Sequence, residues 1–173
     1  MKESLSPGAQ RLLEARAIRL AAPAHEAASE ETVGLATFAV GDLEVGLPLD
    51  ALRAALPLRR VTPVPLAPPE VIGVLRFSGA VLPVYSLAFM LGGQPSRRDS
   101  THLLVVERGA GRLVAFDCVQ VPLATTRPAR EIELARARTR EGEPLTDVML
   151  GDRVLTLVDV GRLCAVWEKK RGA

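Results

Sequence analysis

Catalysis by side chains needs a nucleophile with its base, a pair of tuned carboxylates, or metal ligands at fixed spacing. Residues of those kinds are few here. His25 and His102 have no second His or Cys at ligand spacing, so a metal site is not expected. Cys118 and Cys164 lie in the apolar runs VAFDCVQV and GRLCAVW without a CxxC spacing, and read as buried, reduced thiols. Asp117, Asp152 and Asp159 are the carboxylates from which an acid/base set could be assembled, yet each reads as an exposed residue at a turn or strand end. Ser78-Gly79 lacks the G-x-S-x-G elbow of a nucleophile. The glycines at Gly92-Gly93 and Gly109 to Gly111 precede no helix carrying Lys-Ser/Thr, so no phosphate cradle is visible. The expectation is a protein that is not an enzyme and carries no cofactor.

The bulk properties narrow the field of partners. The chain has 173 residues, 22 Lys+Arg against 20 Asp+Glu, and 48% apolar residues, which describes one soluble domain or two small ones sharing a core. A net charge of +2 without a basic run gives little attraction to a phosphate backbone, so nucleic acid is not an expected partner. The apolar run from Val81 to Leu91 is broken by Pro, Tyr and Ser and falls short of the ~18 residues of a membrane span. The start, MKESLSPGAQRLLEAR, has charges where a secretion signal needs its apolar centre. A cytoplasmic protein with no direct membrane insertion is expected.

Three regions follow from the patterning. Residues 1 to 32 read as a helical extension and linker: Ser6-Pro7 opens a helix with Leu13, Ala17 and Leu20 at helical spacing, Pro23 ends it, and AHEAASEET follows. Residues 33 to 167 read as a β-rich body, and 168 to 173 as a solvated tail. In the body, four apolar pairs flank turn residues at Gly41-Asp42, Ser78-Gly79, Gly109 to Gly111 and Gly151-Asp152. With further strands at Val61 to Val64 and near Val121, this makes about ten, a density that fits barrels or a sandwich rather than βαβ units. The fold class expected is all-β. Short helices are expected at Asp50 to Leu56, Ser86 to Leu91 and Val160 to Trp167. The run from Arg127 to Pro144 carries five Arg and four Glu and reads as a solvated loop or surface strand, or as a patch for an acidic partner. Prolines at 48, 63, 65, 68, 69 and 83 mark strand edges and corners. A body of this kind binds proteins by strand edge or by helix in groove.

The order FAVGDLEVGLPLDALRAAL, RRVTPVPLAPPEVIGVLRFSGAVLPVYSLAFMLG, LVAFDCVQV and LTDVMLGDRVLTLVDVGRLC resembles the CheW-like coupling proteins of bacterial chemosensory arrays, over about residues 35 to 165. Its most specific parts are P-x-x-P-P-x-V-I-G-V followed by Gly79 and V-L-P-V, and the late G-D-R-V-L-T-L-V-D-V. The resemblance implies two five-stranded β-barrels sharing a hydrophobic core, with the chain crossing between them near residues 86 to 93. It also implies a scaffold that links a chemoreceptor signalling tip, held as a helix in a groove between the barrels, to the regulatory domain of a CheA-type histidine autokinase.

Carried over by position, Leu52, Ala55 and Leu56 would line that groove with Leu75 and Phe77 behind them; each also reads as plain core, since alternate residues of a barrel strand face inward. The chain departs from the family where a G-V-I-N-L-R-G stretch would stand. Here Arg76 replaces the Asn and Ser78 the Arg, Ala54 stands where the acidic partner of that Arg would be, and Ser86 where an Asp would follow V-L-P-V. Loss of both members leaves no charge unpaired, so the fold tolerates it while receptor coupling of the usual kind is altered.

Overall fold

The computed structural model describes residues 31–94 and 100–172; the helix expected within residues 1 to 32 lies outside them. Among the described residues eleven strands form two curled sheets. The five-stranded sheet contains β1 (Thr32–Val40), β2 (Leu43–Pro48), β9 (Leu123–Pro128), β10 (Leu145–Leu150) and β11 (Arg153–Val158), in the order β10-β11-β2-β1-β9. The six-stranded sheet contains β3 (Leu52–Pro57), β4 (Val61–Thr62), β5 (Val71–Phe77), β6 (Ala80–Tyr85), β7 (His102–Glu107) and β8 (Leu113–Cys118), in the order β3-β7-β8-β6-β5-β4. Pairing is antiparallel except for β11 with β2 and β6 with β8. The all-β expectation holds, and all four turn signals join hairpins: β1–β2, β5–β6, β7–β8 and β10–β11.

Side-chain alternation explains the layering. Leu103 and Val105 of β7, with Ala115 of β8, face the core of the six-stranded sheet, while Leu104, Val106, Val114 and Phe116 face the opposite way into a second apolar layer. Strands buried on both faces must be apolar throughout, which is why HLLVVE and LVAFDC read as continuous runs. That second layer is shared: Ala36, Phe38, Val45 and Leu47 of the five-stranded sheet enter it from the other side. A third cluster, Leu35, Val148, Leu155 and Leu157 with Ile132, fills the five-stranded sheet's own interior. Gly46 belongs there because a Cβ would lie 2.8 Å from Leu157 Cδ2.

The helices are α1 (Leu87–Met90), α2 (Ala129–Arg138) and α3 (Val160–Gly172). Three expectations need correction. Residues 86 to 93 do not carry the chain between sheets, since β6 and β7 belong to the same sheet; the crossings are the 3-10 turn Leu49–Ala51 and residues 119–122. The helix expected at Asp50 to Leu56 is that turn followed by β3, in which Leu52, Ala54 and Leu56 are half-buried and alternate with exposed neighbours, a period of two rather than 3.6. The Arg- and Glu-rich run is neither loop nor strand over residues 129–138 but helix. Its good helix formers, Glu131 in the first turn and Arg136 and Arg138 in the last suit the helix dipole, and Ile132 anchors it.

Candidate functional site

A depression of about 1240 Å³ opens on the seam between the two sheets at the end where β1 begins. Its apolar floor comes from Val33 and Leu35 of β1, Leu157 and Val158 of β11, and Ile132 of α2, with Leu49 and Ala51 of the first crossing at its side. The β7–β8 turn (Glu107, Arg108) and the start of α3 form one wall, and the end of α2 with the loop after it forms the other. Gly161 permits the first wall to close up, because a Cβ there would stand 2.8 Å from the Arg108 carbonyl oxygen.

The charges on that first wall are satisfied internally. Arg53 donates to Glu107 and to the Asp50 carbonyl, and Gly111 N–H donates to Glu107 as well. The Arg53 hydrogen bond first, and that of Gly111 second, hold the Glu107 carboxyl below its ordinary value. Arg108 pairs with Glu168 of α3, which keeps its guanidinium more basic than usual. Arg162 pairs with Asp159 at 3.4 Å, and Asp159 also caps α3 by accepting from Arg162 N–H.

None of the five groove residues read from the sequence is part of this depression's lining. Leu52 is half-buried against the shared core immediately after the Leu49–Ala51 crossing. Leu56 and Phe77 pack half-buried on the core of the six-stranded sheet, Ala55 is exposed, and Leu75, 1% exposed, is interior. Ala54 is half-buried on that same core. Arg76 is exposed on β5, and Ser78 occupies the β5–β6 turn with φ +47°. Ser86 is buried and caps α1, its Oγ accepting from Phe89 N–H, so the hydroxyl has a local role.

Asp117 corrects the sequence reading most sharply. It is 3% exposed rather than a surface carboxylate, and accepts from Leu87 N–H at 3.0 Å and Ser100 Oγ at 2.9 Å, pinning the start of α1 and residue 100 to β8. Asp152 is exposed in the β10–β11 turn and Asp159 caps α3, so the three carboxylates do not converge. Cys118 and Cys164 are buried and unpaired with each other; burial first, and the Asp117 charge second, push the Cys118 thiol up to about 12. Among the described residues no group of three His, Cys, Asp or Glu is arranged to hold a metal, and no helix is long and apolar enough to cross a membrane.

One further position stands out by its backbone. In the loop between β4 and β5, Ala67 N–H donates to the Val64 carbonyl, closing a turn with Pro65 second and Leu66 third. Leu66 has φ +58° and its side chain is fully exposed. A turn of this kind normally places Gly or Asn there.

The arrangement is therefore one of surfaces, a seam cleft and exposed edges. The solved scaffolding protein TtCheW of Thermoanaerobacter tengcongensis superposes with a TM-score of 0.64 at 17% identity, over 77% of this chain and 92% of that one. The chain is 34% identical over 82 residues to the chemotaxis protein CheW of Rhizobium meliloti (strain 1021), 47% of this chain and 53% of the relative. It is 30% identical over 82 residues to a probable chemotaxis protein CheW of Rhizobium etli, with the same coverage. It spans about half the length of these relatives. A family model for the CheW-like domain matches residues 34–166, most of the chain, and the chain belongs to that family.

Proposed function

We propose that this protein is a non-enzymatic adaptor of a chemosensory pathway, in which a CheW-like body at residues 33–167 links a chemoreceptor signalling tip to a CheA-type histidine autokinase. The observation that carries the reading is the seam cleft of a CheW-like fold, open between two sheets and floored by apolar side chains as a helix-in-groove site requires. Leu49, 39% exposed beside that floor, is the anchor for the tip. The kinase regulatory domain meets the ends of the barrels, by contacts that are individually small. A second reading, a regulatory module that binds only one of the two partners, is supported by Ala54 and Ser78, which carry no charges where the family has an acid and an Arg.

Titration calorimetry of the full chain with a receptor tip fragment and with the kinase regulatory domain tests both. Binding of each supports the adaptor; binding of one alone supports the module; binding of neither overturns both. Leu49→Asp brings a carboxylate to an apolar floor and is expected to weaken the tip by about tenfold or more, leaving the kinase domain unaffected.

A further inference from the structure

The two walls of the seam cleft differ in what their charges are free to do. On the β7–β8 and α3 wall Glu107, Arg108 and Asp159 are each engaged by an internal partner. On the opposite wall Arg136, Arg140, Glu141 and Glu143 are exposed and have no ion-pair partner among the described residues.

The backbone that carries those four is held in place. Thr139 Oγ1 donates to the Ala135 carbonyl at 3.1 Å and to Thr146 Oγ1 at 3.3 Å, which ties the end of α2 to β10. Glu143 N–H donates to the Arg140 carbonyl at 3.1 Å, closing a turn, and Asp159 N–H donates to the Pro144 carbonyl at 2.8 Å. Charges without an ion-pair partner on an ordered rim beside an apolar floor are available to an incoming chain. Ion pairs placed this way select among partners more than they add affinity.

We infer that the α2 wall is the specificity-determining surface of the cleft: Arg136 and Arg140 receive acidic residues flanking the apolar stripe of a bound amphipathic helix, and Glu141 and Glu143 receive basic ones. This rests on the adaptor reading above. The partner is a helix with an apolar face and both an acidic and a basic group on one polar flank. A helix of uniform charge is disfavoured by one half of the wall, and a helix entered backwards meets like charges.

The test is calorimetry of the full chain with a receptor tip at low and at physiological salt. Arg136→Glu with Arg140→Glu exchanges attraction for repulsion and is expected to weaken tip binding by about tenfold, a size that exposed pairs permit. A tip with its facing acids changed to Lys recovers most of that loss with the reversed chain. Changing all four rim residues to Gln removes the salt dependence, while affinity for the kinase regulatory domain stays unchanged throughout. No tip binding by the unmodified chain overturns the adaptor reading itself. Tip binding that survives the charge reversal within twofold overturns the α2 wall alone. Self-association in sedimentation that the same reversal abolishes assigns the cleft to a second copy and also overturns the inference.

Discussion

Asp117→Ala removes a carboxylate that holds two buried donors, the amide of Leu87 at the start of α1 and the hydroxyl of Ser100. Leu87 and Ser100 are both buried, so water does not readily replace the lost acceptor. A buried donor left without its partner costs about 1–3 kcal/mol, which for the two donors puts the substitution at about 2–6 kcal/mol. In a domain of this size that lowers Tm by roughly 5–15 °C. Asp117→Asn keeps one acceptor oxygen and costs less, about 1 kcal/mol, provided that the oxygen stays on Leu87 N–H. Urea unfolding gives the free energies, and native-state hydrogen exchange reads the Leu87 amide directly: its protection falls in the Ala variant more than that of β8 as a whole. A loss under ~1 kcal/mol with unchanged exchange at Leu87 would refute the claim that this carboxylate, rather than apolar packing, fixes α1 to β8.

Leu66→Gly relieves a left-handed backbone and gives up no buried surface, so urea melts are expected to show a gain of about 0.5–1 kcal/mol; a loss would mean that the exposed leucine contributes to the fold. The raised Cys118 thiol is expected to resist disulfide-forming probes in the native protein at mildly alkaline pH and to react fully in denaturant. Because the folded value lies above the unfolded one of about 8.5, stability is complete below it and declines as pH rises towards the folded value; Cys118→Ala removes that decline. The lowered Glu107 contributes stability that is present above the ordinary carboxylate value of about 4.3 and lost as pH falls through the depressed one, and Glu107→Gln flattens that acid limb of the melting profile. Ala54→Glu and Ser78→Arg each place a charge without its partner and are expected to lower stability in urea melts, and the double change to recover part of that loss with a coupling of ~0.5–3 kcal/mol. Strict additivity would mean that the positions are not neighbours.

What the sequence made legible was whatever had a strong local signal. The hairpins announced themselves through turn residues, and two of these, Gly41 at φ +59° and Gly151 at φ +68°, take up backbone that other residues avoid. The capped α1 and the start of α3 were also local, set by Ser86 and Asp159. The failures were tertiary. β3 carries leucines that suit helix or strand, and pairing with β7 decided for strand. α2 was hidden because a helix that needs only Ile132 buried has little stripe to show, although Pro128 before it and the placement of its charges were readable. Asp117 looked exposed because nothing local reveals that α1 and residue 100 close over it. The seam cleft gathers residues from β1, β11, α2, α3 and both sheets' connections, and no spacing along the chain brings these together.

The two crossings of the chain have a consequence for synthesis. The six-stranded sheet is built from consecutive residues, Leu52 to Cys118, so its pairing is complete once that stretch has left the ribosome. The five-stranded sheet is not: β2 waits for β11, and the parallel register of Glu44 with Leu155 joins positions at opposite ends of the body. At roughly 5–20 residues per second, Leu35 of β1, with Val33 beside it, remains exposed for several seconds before Val148, Leu155 and Leu157 of the last hairpin cover it. The nascent chain therefore passes through a stage with one sheet formed and the apolar face of the other open, and a chaperone that acts on this protein would meet it there.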